Sequence, residues 1–398
     1  MIDVADGVFR TIAADVPENP FAVRLWDGTE RRYGNGDPHF TLSIDSSATL
    51  TAMVTGGSLG VGESYVSGGL EVEGDLQSFI RLGVHPAVRD LQIRPRDKAR
   101  IVAMALRNRN SLRRARRNIQ HHYDLGNDFY GLWLDESMTY SCAYWDEDCD
   151  SIEAAQKAKY EHICRKLQLE EGERLVDIGC GWGGMLLYAA QEYGVEGVGY
   201  TLSTEQHEFA NNRLRAAGLY PRVRVELQDY REAGGEFDKF VSIGMFEHVG
   251  REYYGEFFSK VEELLVPDAV GVLHTIGRHR EGDVDAWVSA HIFPGTYTPT
   301  MGQIDAAMGE TDLVLTDVEN LRLHYARTLD AWAERFEARL GEVRQQFDEQ
   351  FIRMWRFYLN ACSVGFKWGD SRVYQVTFTK GLHSGLPPTR AYLYAGGV

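Results

Sequence analysis

The 398-residue chain contains no apolar run approaching the roughly 18 residues that a membrane span requires, so an integral helical membrane protein is not expected. Its first residues, MIDVADGVF, are acidic and lack the basic-then-apolar order of a secretory leader. Cysteine is scarce and odd in number (Cys142, Cys149, Cys164, Cys180 and Cys362), with no metal-type pairing. That argues against a disulfide scaffold and for a reduced, cytoplasmic chain. Twelve histidines are present, but His121 and His122 are merely adjacent, and none has a ligand partner one turn along a helix. No metal site is expected. With 44% hydrophobic and 25% charged residues, the chain reads as globular.

Basic residues (42) are fewer than acidic ones (58), yet they concentrate in one place. Between Arg94 and Arg117 lie ten Lys/Arg residues and one acid, Asp97, a local charge of +9 in a chain of −16, so the remainder carries −25. A basic helical stretch on an acidic protein suggests an anionic partner held at one point. An anionic membrane surface suits it, since each basic residue gains about 1 kcal/mol there. Met104 and Leu106 would be its lipid-facing residues. A solvated helix paired with the acidic body is the alternative. Nucleic acid fits poorly, because the stretch lacks aromatics for stacking.

Three segments are expected: residues 1–90 as a small α+β domain, 91–117 as a basic helical linker, and 118–385 as a catalytic domain. Alternating runs FAVRLWDG and HFTLSID read as strands, and GGSLGVGESYVSGGLEVEGDL as tight turns between short elements. Helical periodicity in Thr328–Phe366, with Trp332, Phe336, Phe347, Phe351, Trp355 and Tyr358 on one face, suggests a helical roof over a ligand crevice. RVYQVTFTK would close the sheet.

The most informative segment is VDIGCGWGG (Val176–Gly184). A β-branched run containing Asp177 ends in a turn with Gly179, Gly181 and Gly183, and an apolar helical stretch follows. Strand, glycine turn and helix N-terminus form a nucleotide-cofactor corner. A dinucleotide fold would carry an acid about 20 residues on, but EGVGYTL (Glu196–Leu202) ends without one. Later strand ends supply Gln228, Asp229 and Tyr230, then Glu247 and His248, then His274 and Ile276. Their convergence outside the carboxyl ends of an α/β sheet is the layout of a class I methyltransferase (Rossmann-like, doubly wound) using S-adenosylmethionine.

HHYDLGNDFYGLWLDESMTYSCAYW (His121–Trp145), VDIGCGWGG, GYTLSTEQ (Gly199–Gln206), GMFEHVG (Gly244–Gly250) and LHTIG (Leu273–Gly277) together resemble the cyclopropane-fatty-acyl-phospholipid synthase family. The resemblance runs from about residue 118 to 380 and is weaker before it. It implies transfer of the S-adenosylmethionine methyl to the double bond of an unsaturated phospholipid acyl chain, then deprotonation and ring closure. It also implies a bound bicarbonate as base, held by Cys142, Glu247, His274, the backbone of Ile276, and Tyr325. An anion beside Glu247 requires a shared proton or outweighing donors. Tyr140 and Ser141 would pack over the cofactor, Gly179 and Gly181 would approach its amino-acid part, and Asp229 would meet its adenine. Thr201 and Gln206 would replace the missing ribose acid, although Ser203 to Gln206 also reads as a capping box. Tyr140, Tyr144, Trp145 and Phe246 could stabilise a passing cation or simply pack in the core. A relative that stops at a methylene- or methyl-branched chain, one using carrier-bound chains, and an inactive lipid-binding module are the other readings. A homodimer would let two basic stretches share one membrane bound peripherally at its inner face.

Overall fold

The computed structural model describes residues 2–85 and 125–394. The basic stretch Arg94–Arg117, with Met104 and Leu106, lies outside the described residues, as do His121 and His122. Two compact units form, and the division is not linear in sequence. One takes the N-terminal segment with Val284–Pro294 and Leu329–Asp370; the other takes Arg109–Asp283, Gly295–Thr328 and Ser371–Val398.

In the first unit, β1 (Phe21–Arg24), β2 (Glu30–Tyr33), β3 (Phe40–Ile44) and β4 (Leu70–Gly74) form a sheet in the order β2-β1-β3-β4. The alternation read from the sequence puts Phe40, Leu42 and Ile44 inside. Phe21 stacks between Tyr33 and Phe40, with ring centroids 5.1 and 5.5 Å away. The glycine-rich segment departs from expectation. Instead of tight turns, Ser47–Val66 is helical, broken only where Gly57 adopts φ 57°, ψ −142°. Packing overrides propensity here: a Cβ on Gly62 would lie 2.3 Å from the Trp287 ring.

The segment expected as a roof over the crevice is built into this first unit. Its helix Glu349–Lys367 buries Trp355 and Tyr358, and Arg353 donates to the carbonyls of Tyr65 (2.6 Å) and Leu70 (2.9 Å) and pairs with Glu71. Lys367 pairs with Asp330 at 2.6 Å and donates to Gln77. These charge-assisted contacts, part-buried at the Arg353 end, tie a segment distant in sequence to the N-terminal sheet.

In the second unit, seven strands are ordered β10-β11-β9-β8-β5-β6-β7. They are β5 (Arg174–Ile178), β6 (Glu196–Thr201), β7 (Val223–Leu227), β8 (Phe237–Ile243), β9 (Leu265–Arg278), β10 (Leu313–Asn320) and β11 (Ser371–Lys380). β5 to β9 run parallel, and β11 is antiparallel to both β9 and β10. Chain order reverses between β5 and β8, so the crevice opens at the carboxyl ends of these two strands. Phe240, Phe257, Val261 and Phe378 pack in one core, and Ile163, Leu186, Leu214 and Val223 in the other. β11 does not close the sheet as expected. It is inserted between β9 and an edge strand, β10, whose polar sequence LVLTDVEN masks its strand character. The exposed edge tolerates that polarity.

Candidate active site

β5 delivers the chain to Gly179, where φ turns to +81°. The turn closes because the Gly179 and Cys180 amides both donate to the Tyr200 carbonyl, at 3.0 and 3.1 Å. A Cβ at Gly179 would lie 2.5 Å from Cβ and Cγ of Met245, so only glycine fits. Above this turn opens a cavity of about 1220 Å³, mouth included. Tyr140, Ser141, Asp177, Gly179 and Gly181 line it on one side, and Thr201, Gln206, Gln228, Asp229 and Tyr230 complete it. Gly183 is not on its wall. It caps helix Gly184–Tyr193, and a Cβ there would meet Ala210 at 3.0 Å, so it serves helix packing.

Local hydrogen bonding sharpens several readings. Ser203 accepts from the Gln206 amide, but the Gln206 side chain does not complete a capping box. Its Oε1 accepts from Thr201 at 2.7 Å, leaving its amide NH₂ as the group to donate. Asp229 is buried, and Arg231 engages both its oxygens at 2.9 Å, so any adenine contact would share a carboxylate already paired. Asp177 is buried with Oδ1 lacking a hydrogen-bond partner. Burial pushes its carboxyl up to about 7, against the pull of the Lys159 ammonium.

The second group sits on neighbouring strand ends. Glu247 occupies a single turn, Phe246–His248, just beyond β8. Its Oε1 accepts from the Ile276 backbone N–H at 2.5 Å, while its Oε2 is buried without a partner. Burial raises the Glu247 carboxyl to about 7, although the Ile276 hydrogen bond opposes this. His274 and Ile276 lie two residues apart on β9, hence on one face of the strand. The Cys142 thiol is buried and pushed up, so it stays protonated; its Sγ lies 3.2 Å from the Ala143 carbonyl and 3.9 Å from that of Leu321. Leu321 also accepts, at 3.1 Å, from the amide of Tyr325, a mostly buried residue. Glu247 and Ile276 are thus in direct contact, and Cys142 reaches the turn that carries Tyr325.

The aromatic candidates divide. Tyr140 lines the cavity, with its ring 5.4 Å from those of Tyr130 and Trp133. Phe246 packs on Tyr254 and Phe257 at 4.3 and 4.9 Å and is core. Tyr144 is stacked between His162 and His324, and Trp145 donates to Thr328 beneath the Arg327 guanidinium. Neither is on the cavity wall.

Lys159 escaped the sequence reading. It is fully buried, lines the cavity, and its Nζ donates to Ser141 Oγ at 3.0 Å. Burial lowers its ammonium to about 8, with Asp135, Cys142 and Asp177 opposing. A signal existed. On helix Ile152–Leu167 the buried positions Ile152, Ala155, Gln156, Lys159, Ile163 and Lys166 recur at helical spacing, so two lysines stand on the apolar stripe. Among the described residues, no group of His, Cys, Asp or Glu is placed to hold a metal, and no helix is long and apolar enough to cross a membrane.

The family model described as mycolic acid cyclopropane synthetase matches residues 110–376, more than half of the chain, and one described as a domain of unknown function matches residues 8–88. The chain is 40% identical over 357 residues to cyclopropane-fatty-acyl-phospholipid synthase of Escherichia coli, covering 89% of this chain and 92% of that protein. It is 35% identical to a probable fatty acid methyltransferase of Pseudomonas putida, covering 94% and 96% of the two chains. The mycolic acid cyclopropane synthase CmaA1, solved with SAH and CTAB, superposes with a TM-score of 0.63 at 34% identity, covering 67% of this chain and 98% of that one. Seven strands in this order, the cavity at their switch point and these likenesses agree: the chain belongs to the mycolic acid cyclopropane synthetase family of S-adenosylmethionine-dependent methyltransferases.

Proposed function

We propose that this protein converts the double bond of an unsaturated phospholipid acyl chain into a cyclopropane ring. The observation that carries the reading is Glu247, one oxygen engaged by the Ile276 N–H and the other buried and unpaired. When bound, S-adenosylmethionine supplies an electrophilic methyl and bicarbonate supplies a base. The protein groups fit both. Asp177 Oδ1 is a buried acceptor suited to the cofactor ammonium, and the Gly179–Gly181 turn lets backbone approach it. Glu247 resolves the repulsion between a carboxylate and an anion. Held near pKa 7, it carries a proton for much of the time at neutral pH, and that proton belongs on Oε2 because Oε1 already accepts. A protonated Glu247 therefore donates to an anion rather than repelling it. Cys142, His274, the Ile276 backbone and Tyr325 complete the proposed anion site.

Purified protein incubated with S-adenosylmethionine and monounsaturated phospholipid vesicles should yield fatty acids one CH₂ heavier that resist mild hydrogenation. A product one CH₂ heavier that takes up hydrogen would instead place proton removal at another carbon, giving a methylene branch. Loss of cofactor binding would overturn the whole assignment.

The +9 stretch Arg94–Arg117 supports peripheral binding to an anionic membrane face, and a homodimer would double the contact. Flotation with vesicles rich in anionic lipid should capture the protein at low salt and release it at high salt. Equal capture by neutral vesicles would count against the electrostatic reading.

A further inference from the structure

Behind the strand that carries His274 runs a chain of buried polar groups that the reaction scheme does not use. Gln375 on β11 is the direct register partner of His274 on β9, and its Nε2 lies 3.1 Å from His274 Nδ1. The Gln375 Oε1 accepts from Lys166 Nζ at 2.8 Å. Lys166 also pairs with Glu319 at 2.6 Å, and His162 Nε2 lies 2.7 Å from the same Glu319 oxygen. Gln375 and Lys166 are 0% and 1% exposed, so water does not offer them substitutes.

Donor and acceptor inventories leave one assignment. An ammonium only donates, so the amide atom facing Lys166 is the oxygen. The opposite amide atom is then NH₂, which also only donates. His274 Nδ1 must accept it and bears no hydrogen. A neutral imidazole with a bare Nδ1 carries its hydrogen on Nε2. An imidazolium would set N–H against N–H. We propose that Lys166 and Gln375 are positioning residues that lock His274 as the neutral Nε2–H tautomer, making Nε2 an obligatory donor. The use of that donor toward the anion rests on the function proposed above; the lock itself does not.

The surroundings agree. Burial holds the His274 pKa well below its ordinary value, with Lys159, Lys166 and His162 adding to the effect and Glu319 opposing it. Burial works against the Glu319 charge, yet His162 and Lys166 hold its pKa down to about 2, so an anion fixes the Lys166 end of the chain.

The test is long-range ¹H–¹⁵N NMR of the full chain labelled with ¹⁵N-histidine, the His274 signals being identified by their loss in His274→Gln. The wild type should show a protonated Nε2 and a lone-pair Nδ1 from about pH 6 to 8. In Gln375→Glu the facing group can only accept, so the hydrogen should move to Nδ1. Turnover should then drop about 10–100-fold, by analogy with metal-bound histidines that lose an orienting partner, with the KM for S-adenosylmethionine unchanged. A wild-type spectrum showing Nδ1–H or imidazolium overturns the lock without need of any variant, as does a Gln375→Glu tautomer identical to wild type. A switched tautomer with intact turnover upholds the lock and removes His274 from the proposed anion site.

Discussion

Glu247→Gln should lower turnover by about 10²–10⁴-fold and, at pH 8, make the protein harder to unfold. Both effects follow from one carboxyl. Turnover falls because glutamine, whose NH₂ still donates toward the anion, cannot take up or release a proton, and positioned acid–base groups contribute about 10²–10⁴-fold. Stability rises because the native state tolerates the charge of Glu247 poorly. Its carboxyl is fully buried, and burial raises the pKa from 4.5 to about 7. Between these values the native protein binds more protons than the unfolded chain, so stability is lost as pH rises through the window and levels above about 7. The gap corresponds to about 3 kcal/mol, which the neutral amide would recover. Its Oε1 can still accept from Ile276. Asp177 titrates upward in the same range but is present in both proteins, so the difference between them isolates Glu247. Melting temperatures of apo wild type and Glu247→Gln should differ by several degrees at pH 8 and converge near pH 5. Equal melting at pH 8 would show that Glu247 is compensated in the folded state and would sink the shared-proton argument.

The second large effect is at Gly179. Gly179→Ala places a Cβ at φ +81°, which costs about 1–2 kcal/mol, and sets it 2.5 Å from Met245 Cβ and Cγ. The turn must shift, and it is the cavity wall. S-adenosylmethionine affinity should fall by about 100-fold or more, the equivalent of about 3 kcal/mol. Gly183→Ala provides the comparison. It too has positive φ (+77°) and a tight Cβ contact, 3.0 Å from Ala210, but it lies off the cavity. Its melting temperature should fall while its affinity changes little. Calorimetric titration of both variants decides the matter; equal losses of affinity would mean that the turn acts through stability alone.

Several features were legible from residues in sequence. VDIGCGWGG announced the turn at the end of β5 because strand, glycines and helix are contiguous. Ten of the eleven expected cofactor residues line one cavity, because strand ends in a doubly wound sheet converge. In sequence Gly183 looks like a cofactor residue, since a glycine kept for helix packing has the same signature. The helical character of Ser47–Val66 is hidden by its glycines, one of which, Gly62, packs against Trp287, more than 200 residues away. Lys159 and Lys166 look like ordinary solvated lysines unless the apolar stripe of their helix is traced.

Sequence alone therefore determined the chemistry on offer: the glycine turn, the acids and histidine at strand ends, the absence of a ribose acid, and the basic stretch. These depend on residue type and short spacing, which local physics reads directly. Tertiary structure decided what each group can do. Only the placement of β11 beside β9 sets Gln375 against His274 and so chooses which nitrogen holds the hydrogen. Only burial moves Glu247 toward neutrality and leaves its Oε2 without a partner. Desolvation and hydrogen-bond pairing are properties of the surroundings, and those are assembled from segments far apart in the chain.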